Sequence, residues 1–424
     1  MKTKKTTQKM SYMFLLAIII FVLAGCSGET VVIDEVKTPI DNENIAQDVE
    51  VEDNQIIIED INKENVQEKE PELNIKDDEP IITDKIEDIV VTPEFENKYY
   101  REKLNPELHE LYDAIYDGLF FVKRKISIPI SDTQSISDVF EFVRMDSPQF
   151  FYCPSSFKIL TTKIGGKVSA MEIEFEYSDF WNNENIGNAQ KEIDEVSKEI
   201  LSELSAIDGD YNKVLYLYMY LTKNIEYKSD EENNYSIYGA LIQKAATCEG
   251  FAESFQYLLT LAGIETISVV GESKDQAHEW NMAKIDNQWY FFDVTWDSPT
   301  NTSKYLPYNY FALTNNDLLL SHNIYYSEYL PEANNLKYNY YYYNDLLLTS
   351  YSEKEVVEIS KRSHELNPNH ISFRTVDINT YEQVISNIQT WLPKALKEIG
   401  IVRNEISYMS NMELNIIDIV LEEE

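Results

Sequence analysis

Three residues far apart in the chain have the types and settings that nucleophilic catalysis needs: Cys248, His278 and Asp293. The stretch Thr247-Cys248-Glu249-Gly250 opens an apolar helical face of Phe251, Ala252, Phe255, Leu258, Leu259 and Ala262, and Gly263 supplies the stop. Cys248 is therefore expected in the first turn of a buried helix, where unsatisfied N–H groups and the helix dipole favour a thiolate. His278–Ile285 and Gln288–Trp296 flank the turn-forming pair Asp286-Asn287, which predicts a two-residue hairpin. In that register Ile285 pairs with Gln288, Trp280 faces Asp293, and His278 is the diagonal neighbour of Asp293 on the same face, about 7–8 Å away at the backbone. A loop one residue longer would separate the two onto opposite faces. The shared face of His278, Trp280, Met282, Trp289, Phe291 and Asp293 is expected to pack on the helix headed by Cys248. A thiol nucleophile, an imidazole base and a carboxylate that holds the imidazole tautomer would then form one group. Taken singly, each has a plainer explanation, as a small core cysteine and a structural His–Asp hydrogen bond.

The series Cys248-Glu249-Gly250-Phe251-Ala252, His278-Glu279-Trp280-Asn281 and Trp289-Tyr290-Phe291-Phe292-Asp293-Val294-Thr295-Trp296-Asp297 resembles the core motifs of the transglutaminase-like superfamily, over about residues 211–300. The resemblance implies a papain-like α+β core with a Cys-His-Asp triad carried by Cys248, His278 and Asp293. Its members include protein crosslinkers, cysteine peptidases, other acyl-transfer enzymes and copies that have lost activity. The function implied is cleavage or transfer of an amide through a Cys248 thioester, acting on a protein or peptide, with cell-wall peptide as one candidate. The rival is a non-catalytic wall- or protein-binding module that keeps the fold. One oxyanion donor would be the backbone N–H of Cys248, and Gln243 or Tyr238 could supply the second. Trp280, Trp289 and Trp296 fit core packing better than substrate contact.

Around this core the pattern predicts helices over about 103–122, 136–145, 188–204 and 211–225, and a hairpin of Lys158–Lys163 with Lys167–Tyr177. From 352 a helix, strand, helix and two-strand series suggests a small appendage. The fold class is thus α+β: an N-terminal α+β region over 97–205, the core over 206–345 and a C-terminal α+β region over 346–424.

Before residue 97 the composition changes. Lys2, Lys4, Lys5 and Lys9, the apolar run Met13–Ala24 and Leu23-Ala24-Gly25-Cys26 resemble a bacterial lipoprotein signal, with Cys26 as the lipidated residue and 1–25 removed. The run is shorter than the roughly 20 residues a membrane span needs. The chain is expected outside the cytoplasmic membrane, held there by the lipid alone. Residues 27–96 hold 23 acidic and 5 basic side chains with Phe95 as the single aromatic, which predicts a disordered stalk over 26–96. A formal charge of −38 excludes nucleic-acid binding. The five histidines and Cys153 show no metal-ligand spacing, and no glycine loop for phosphate or dinucleotide is present, so neither metal nor cofactor is expected. Cys153 reads as a buried free cysteine rather than a disulfide partner of Cys248. Eight tyrosines between 325 and 343 read as a packed aromatic meander rather than a stacking platform for sugar or peptide.

Overall fold

The computed structural model describes residues 29–37, 98–298, 307–401 and 408–421, apart from 165 and 369. The N-terminal part runs β1 (Glu29–Lys37), α1 (Tyr99–Lys103), α2 (His109–Phe120), β2 (Lys125–Ile128), α3 (Thr133–Asp146), β3 (Ser156–Ile164) and β4 (Lys167–Phe175). Its antiparallel sheet has the order β1-β3-β4-β2. The single helix expected over 103–122 is split, because Asn105 precedes Pro106 and takes an extended ψ of 132°, which interrupts the helix before α2 begins. A larger departure is β1. Glu29–Lys37 lies in the segment expected to be a stalk, yet it pairs residue for residue with β3, from Glu29 opposite Ile164 to Lys37 opposite Ser156. The run Thr30-Val31-Val32-Ile33 has the β-branched composition that suits such pairing, which charge counting over the whole segment hides. The signal segment, Cys26 and the remainder of the acidic stretch lie outside the described residues.

Next come α4 (Asn183–Glu203), α5 (Asp210–Asn224), β5 (Glu226–Tyr227), β6 (Ala245–Ala246), α6 (Cys248–Leu261), β7 (Thr266–Ser273), β8 (Gln276–Ile285), β9 (Gln288–Phe292), β10 (Phe311–Leu313), α7 (Asn315–Leu318) and β11 (His322–Ile324). Their five-stranded antiparallel sheet, β10-β9-β8-β7-β11, places the histidine-bearing strand β8 at its centre. Twelve of the fourteen residues of α6, Cys248 to Leu259, are buried, as a helix wedged between a sheet and other helices requires. The chain ends with α8 (Tyr340–Tyr343), β12 (Leu347–Leu348), α9 (Glu353–Leu366), β13 (His370–Thr375), α10 (Ile378–Ser386), α11 (Ile388–Glu398), β14 (Tyr408–Asn411) and β15 (Ile416–Val420). This last sheet, β12-β13-β15-β14, is joined to the core by the Arg374–Asp317 ion pair at 2.5 Å and by Tyr341, whose hydroxyl donates to Asn309 Oδ1 at 2.9 Å and lies 3.0 Å from Ser372 Oγ. The architecture is α+β throughout. In the tyrosine-rich run Tyr338, Tyr340 and Tyr341 are buried while Tyr342 and Tyr343 are exposed.

Candidate active site

The start of α6 is fixed by backbone from the preceding loop. Asn234 O accepts a hydrogen bond from Thr247 N at 2.9 Å, and β5 pairs with β6 immediately before the cysteine. A Cβ at Gly250 would lie 2.4 Å from that same Asn234 carbonyl, so the glycine two residues after Cys248 is there because the loop backbone touches the helix. Cys248 is the first residue of α6, as expected from the sequence, and only 3% of its surface is exposed.

The hairpin has the two-residue turn read from the sequence. Asp286 and Asn287 both have positive φ, 48° and 62°, as a type I′ turn demands, and Ile285 pairs with Gln288 and Asn281 with Phe292. His278 and Asp293 therefore meet on one face, with Nε2 of the imidazole 2.8 Å from Oδ2 of the carboxylate. Asp293 lies one residue past β9 and is held at every polar atom. Its N–H donates to Tyr310 O at 3.1 Å, its Oδ1 accepts from Trp296 N at 3.0 Å, and its carbonyl accepts from the Tyr218 hydroxyl at 2.8 Å. Tyr218 also donates to Asp297 Oδ2 at 2.7 Å, and Asp297 receives the N–H groups of Asn309 and Tyr310 at 3.1 and 2.9 Å, which staples the loop after β9 to β10.

Burial alone would lower the proton affinity of His278. The Asp293 carboxylate overrides this and, with a further contribution from Cys248, pushes the imidazole up to about 10. Burial likewise works to raise Asp293, but His278 and a second histidine, His322, hold it well below the usual carboxylate range. Nε2 of His278 is taken by Asp293, so Nδ1 is the nitrogen left for Cys248. A cysteine, an imidazole that favours its cation and an ionised carboxylate thus stand in series.

The face that meets α6 is not the expected one. Asn281 Nδ2 donates to Ala252 O at 3.0 Å and the Phe292 ring lies 5.7 Å from that of Phe255, so α6 packs on the face opposite His278 and Trp280. Period-two alternation gives two faces but cannot say which one a helix covers when both are buried, as they are from His278 to Ala283. Cys248 still neighbours His278 because the β8–β9 pairing stops at Asn281 and Phe292, which leaves β8 unflanked on that side at His278.

A buried charge knot ties α6 and β8 to the N-terminal part. Arg144 of α3 reaches Glu141 at 2.7 Å, Glu249 at 2.8 Å, Glu253 at 3.3 Å and Glu279 at 2.9 Å. Glu249 follows Cys248 and Glu279 follows His278. Burial, then like charge from neighbouring glutamates, raises Glu253 well above its ordinary range, and burial raises Glu279 too. Tyr100 adds a tie, its hydroxyl donating to Ser268 O of β7 at 2.6 Å.

Of the other residues singled out in the sequence, Gln243 is exposed on a short helical turn, and Tyr238 packs its ring 5.3 Å from Trp181 and 6.4 Å from Phe151. Tyr227 of β5 senses Cys248: burial first and Cys248 second push its hydroxyl up to about 12. Trp280 is buried in the core. Trp289 packs on Tyr99 at 6.1 Å, and Trp296 carries Lys274 over its ring at 3.5 Å. Cys153 and Cys248 are both free, and burial pushes the Cys153 thiol up. Sequence reasoning missed His322, whose Nε2 lies 3.1 Å from Asp293 Oδ2. Its strand has three residues and no pattern, so only the fold brings it there.

His278, Asp293 and His322 offer ligand atoms within 4.8 Å of one another, a set that could hold a divalent ion. The geometry fits hydrogen bonding better. Both Nε2 atoms point at one acceptor oxygen at 2.8 and 3.1 Å, so protons rather than lone pairs face the carboxylate, and the other nitrogen of His278 is left to a thiol instead of an outer acceptor.

The family model of the transglutaminase-like superfamily matches residues 198–294, the span from the end of α4 to just beyond Asp293. Residues 198–294 belong to the transglutaminase-like superfamily. Kyphoscoliosis peptidase of Homo sapiens is 25% identical to this chain over 137 residues, 28% of this chain and 20% of the relative. The Mus musculus protein of the same name is 24% identical over 128 residues, 25% of this chain and 19% of its own. The chain thus spans about a fifth of the length of these curated relatives. A solved TGase structure aligns at 13% identity and a TM-score of 0.24, covering 34% of this chain and 44% of its own. The transglutaminase-like segment carries Cys248, His278 and Asp293, whereas Arg144 and His322 lie outside it.

Proposed function

We propose that this chain is a cysteine enzyme that cleaves or transfers an amide through a thioester on Cys248. The observation that carries the reading is the 2.8 Å contact of His278 Nε2 with Asp293 Oδ2 beside the thiol at the head of α6. In the proposed reaction the Cys248 sulfur attacks the amide carbon, the C–N bond breaks, and the imidazolium of His278 gives its proton to the departing amine. Water or a second amine then attacks the thioester, losing its proton to His278, and the C–S bond breaks to return the Cys248 thiolate beside the imidazolium, so the chain acts as a peptidase or as an acyl transferase. The substrate proposed is a protein or peptide, with cell-wall peptide as one candidate. The export signal and Cys26 support placement outside the cytoplasmic membrane on a lipid anchor. Among the described residues no helix is long and apolar enough to cross a membrane.

Alkylation of the folded chain by iodoacetamide at pH 6 tests the cysteine chemistry. Cys248 should react at least tenfold faster than Cys153, and His278→Ala should remove the difference. Equal rates for the two cysteines would refute it. The 3% exposure of Cys248 favours a second reading, a binding module that keeps the fold, and that is the reading equal rates would support. Mass analysis of the mature N-terminus tests the anchor: a diacylglyceryl group on Cys26 is expected, and an unmodified N-terminus well downstream of residue 26 would refute it.

A further inference from the structure

We propose that His322 is a positioning residue of this site, acting through Asp293 to hold the imidazole of His278 in line with the thiol; the inference rests on the cysteine chemistry proposed above. His322 sits on the edge strand β11, opposite Ser273, and its side chain has no solvent exposure. Its Nε2 lies 3.1 Å from the same Oδ2 of Asp293 that His278 contacts at 2.8 Å. Its Nδ1 lies 2.8 Å from Ser321 Oγ.

Donor and acceptor accounting fixes the proton that faces Asp293. An ionised carboxylate only accepts, so Nε2 of His322 carries a hydrogen, and Nδ1 on the other side of the ring is held by Ser321 Oγ. The ring is wedged in place by Trp280 at 4.7 Å, His278 at 5.6 Å and Tyr310 at 5.7 Å between centroids. Oδ1 of Asp293 is already held by Trp296 N. Without His322 the Oδ2 oxygen, the one that orients the base, would keep His278 alone as its hydrogen-bond donor among the described residues. The carboxylate could then turn about its Cβ–Cγ bond and carry the imidazole off the line to Cys248. The site is therefore a four-residue series, and its last member comes from a strand on the far edge of the sheet.

The experiment measures the rate of Cys248 alkylation by iodoacetamide at pH 6 in the full chain, with urea unfolding as a check on folding. His322→Ala should slow alkylation at least tenfold, and His322→Gln, which restores an N–H donor at similar reach, should recover it to within about threefold. Ser321→Ala, which removes the hydroxyl that holds Nδ1 of His322, should slow it by a smaller factor and serves if His322→Ala does not fold. A folded His322→Ala that alkylates like wild type overturns the proposal, as does a His322→Gln no faster than the alanine variant. A His322→Ala that keeps the wild-type rate while losing protection by added Zn2+ also overturns it and makes His322 a metal ligand. If wild-type Cys248 reacts no faster than Cys153, the cysteine chemistry itself has failed, which is a separate result.

Discussion

Replacing Arg144 by methionine keeps most of the buried volume and removes the one cation that four carboxyl groups share. In the native protein Arg144 offsets about one negative charge, and Glu253 and Glu279 already hold their protons more tightly than a free glutamate does. With the guanidinium gone, one more carboxyl must fold protonated. Taking a glutamate of ordinary pKa about 4.3 to its neutral form at pH 7 costs about 4 kcal/mol, and at pH 5 about 1 kcal/mol. The variant's folded state binds about one proton more than its unfolded state over this window, so its stability falls by about 1.4 kcal/mol for each pH unit of rise, relative to wild type. The larger figure agrees with the 3–5 kcal/mol typical of breaking a buried ion pair by removing one partner. Urea unfolding of both proteins at pH 5, 6 and 7 measures the difference directly. A difference that does not change with pH, or one below about 1 kcal/mol at pH 7, would show that the knot is hydrated and that the argument from burial is wrong.

His278→Ala should lose the stability that the His278–Asp293 pair supplies. The imidazole is raised from an ordinary 6.5 to about 10, so that term is fully present below pH 6.5 and fades as pH rises toward 10; the gap in urea midpoint between wild type and variant should shrink over that range. Asp293→Asn should slow Cys248 alkylation at pH 6 less than His278→Ala does, because the base remains while its orientation is lost. Gly250→Ala should destabilise the fold by about 1–3 kcal/mol, since its Cβ would press on the Asn234 carbonyl, and should slow alkylation as the head of α6 shifts; thermal melts and the alkylation assay check both. Deleting residues 27–37 should uncover the edge of β3 and make the chain aggregate at lower concentration, as light scattering would detect.

The core of the site was legible because its information is local. Asp286-Asn287 dictates the turn, the turn dictates parity, and parity brings His278 to Asp293. Thr247 to Gly250 likewise announces a helix start. What could not be read depends on which elements meet. Which face of β8 meets α6 is not set by alternation, because both faces are buried and the one on α6 carries Glu279 and Asn281. His322 arrives from a three-residue strand 29 positions beyond Asp293, and Arg144 from a helix 104 positions before Cys248, and neither separation leaves a pattern in the sequence. The split between α1 and α2 follows from Pro106, which outweighs the helical spacing of the leucines around it.

The pairing of β1 with β3 changes the mechanics of attachment. Cys26 precedes Glu29 by three residues, so at about 3.3 Å per residue anything bound to that cysteine stays within about 10 Å of the sheet. Residues 38–97 leave the body at Lys37 and return to it at α1, with both ends fixed. A connection joined to the described body at both ends is a loop in the topological sense. Its length could drift widely in related chains at little cost, since closure entropy grows only as the logarithm of loop length. A single cut by a protease within it would leave the N-terminal piece held to the rest of the chain through nine backbone-paired residues, released only when that strand peels away.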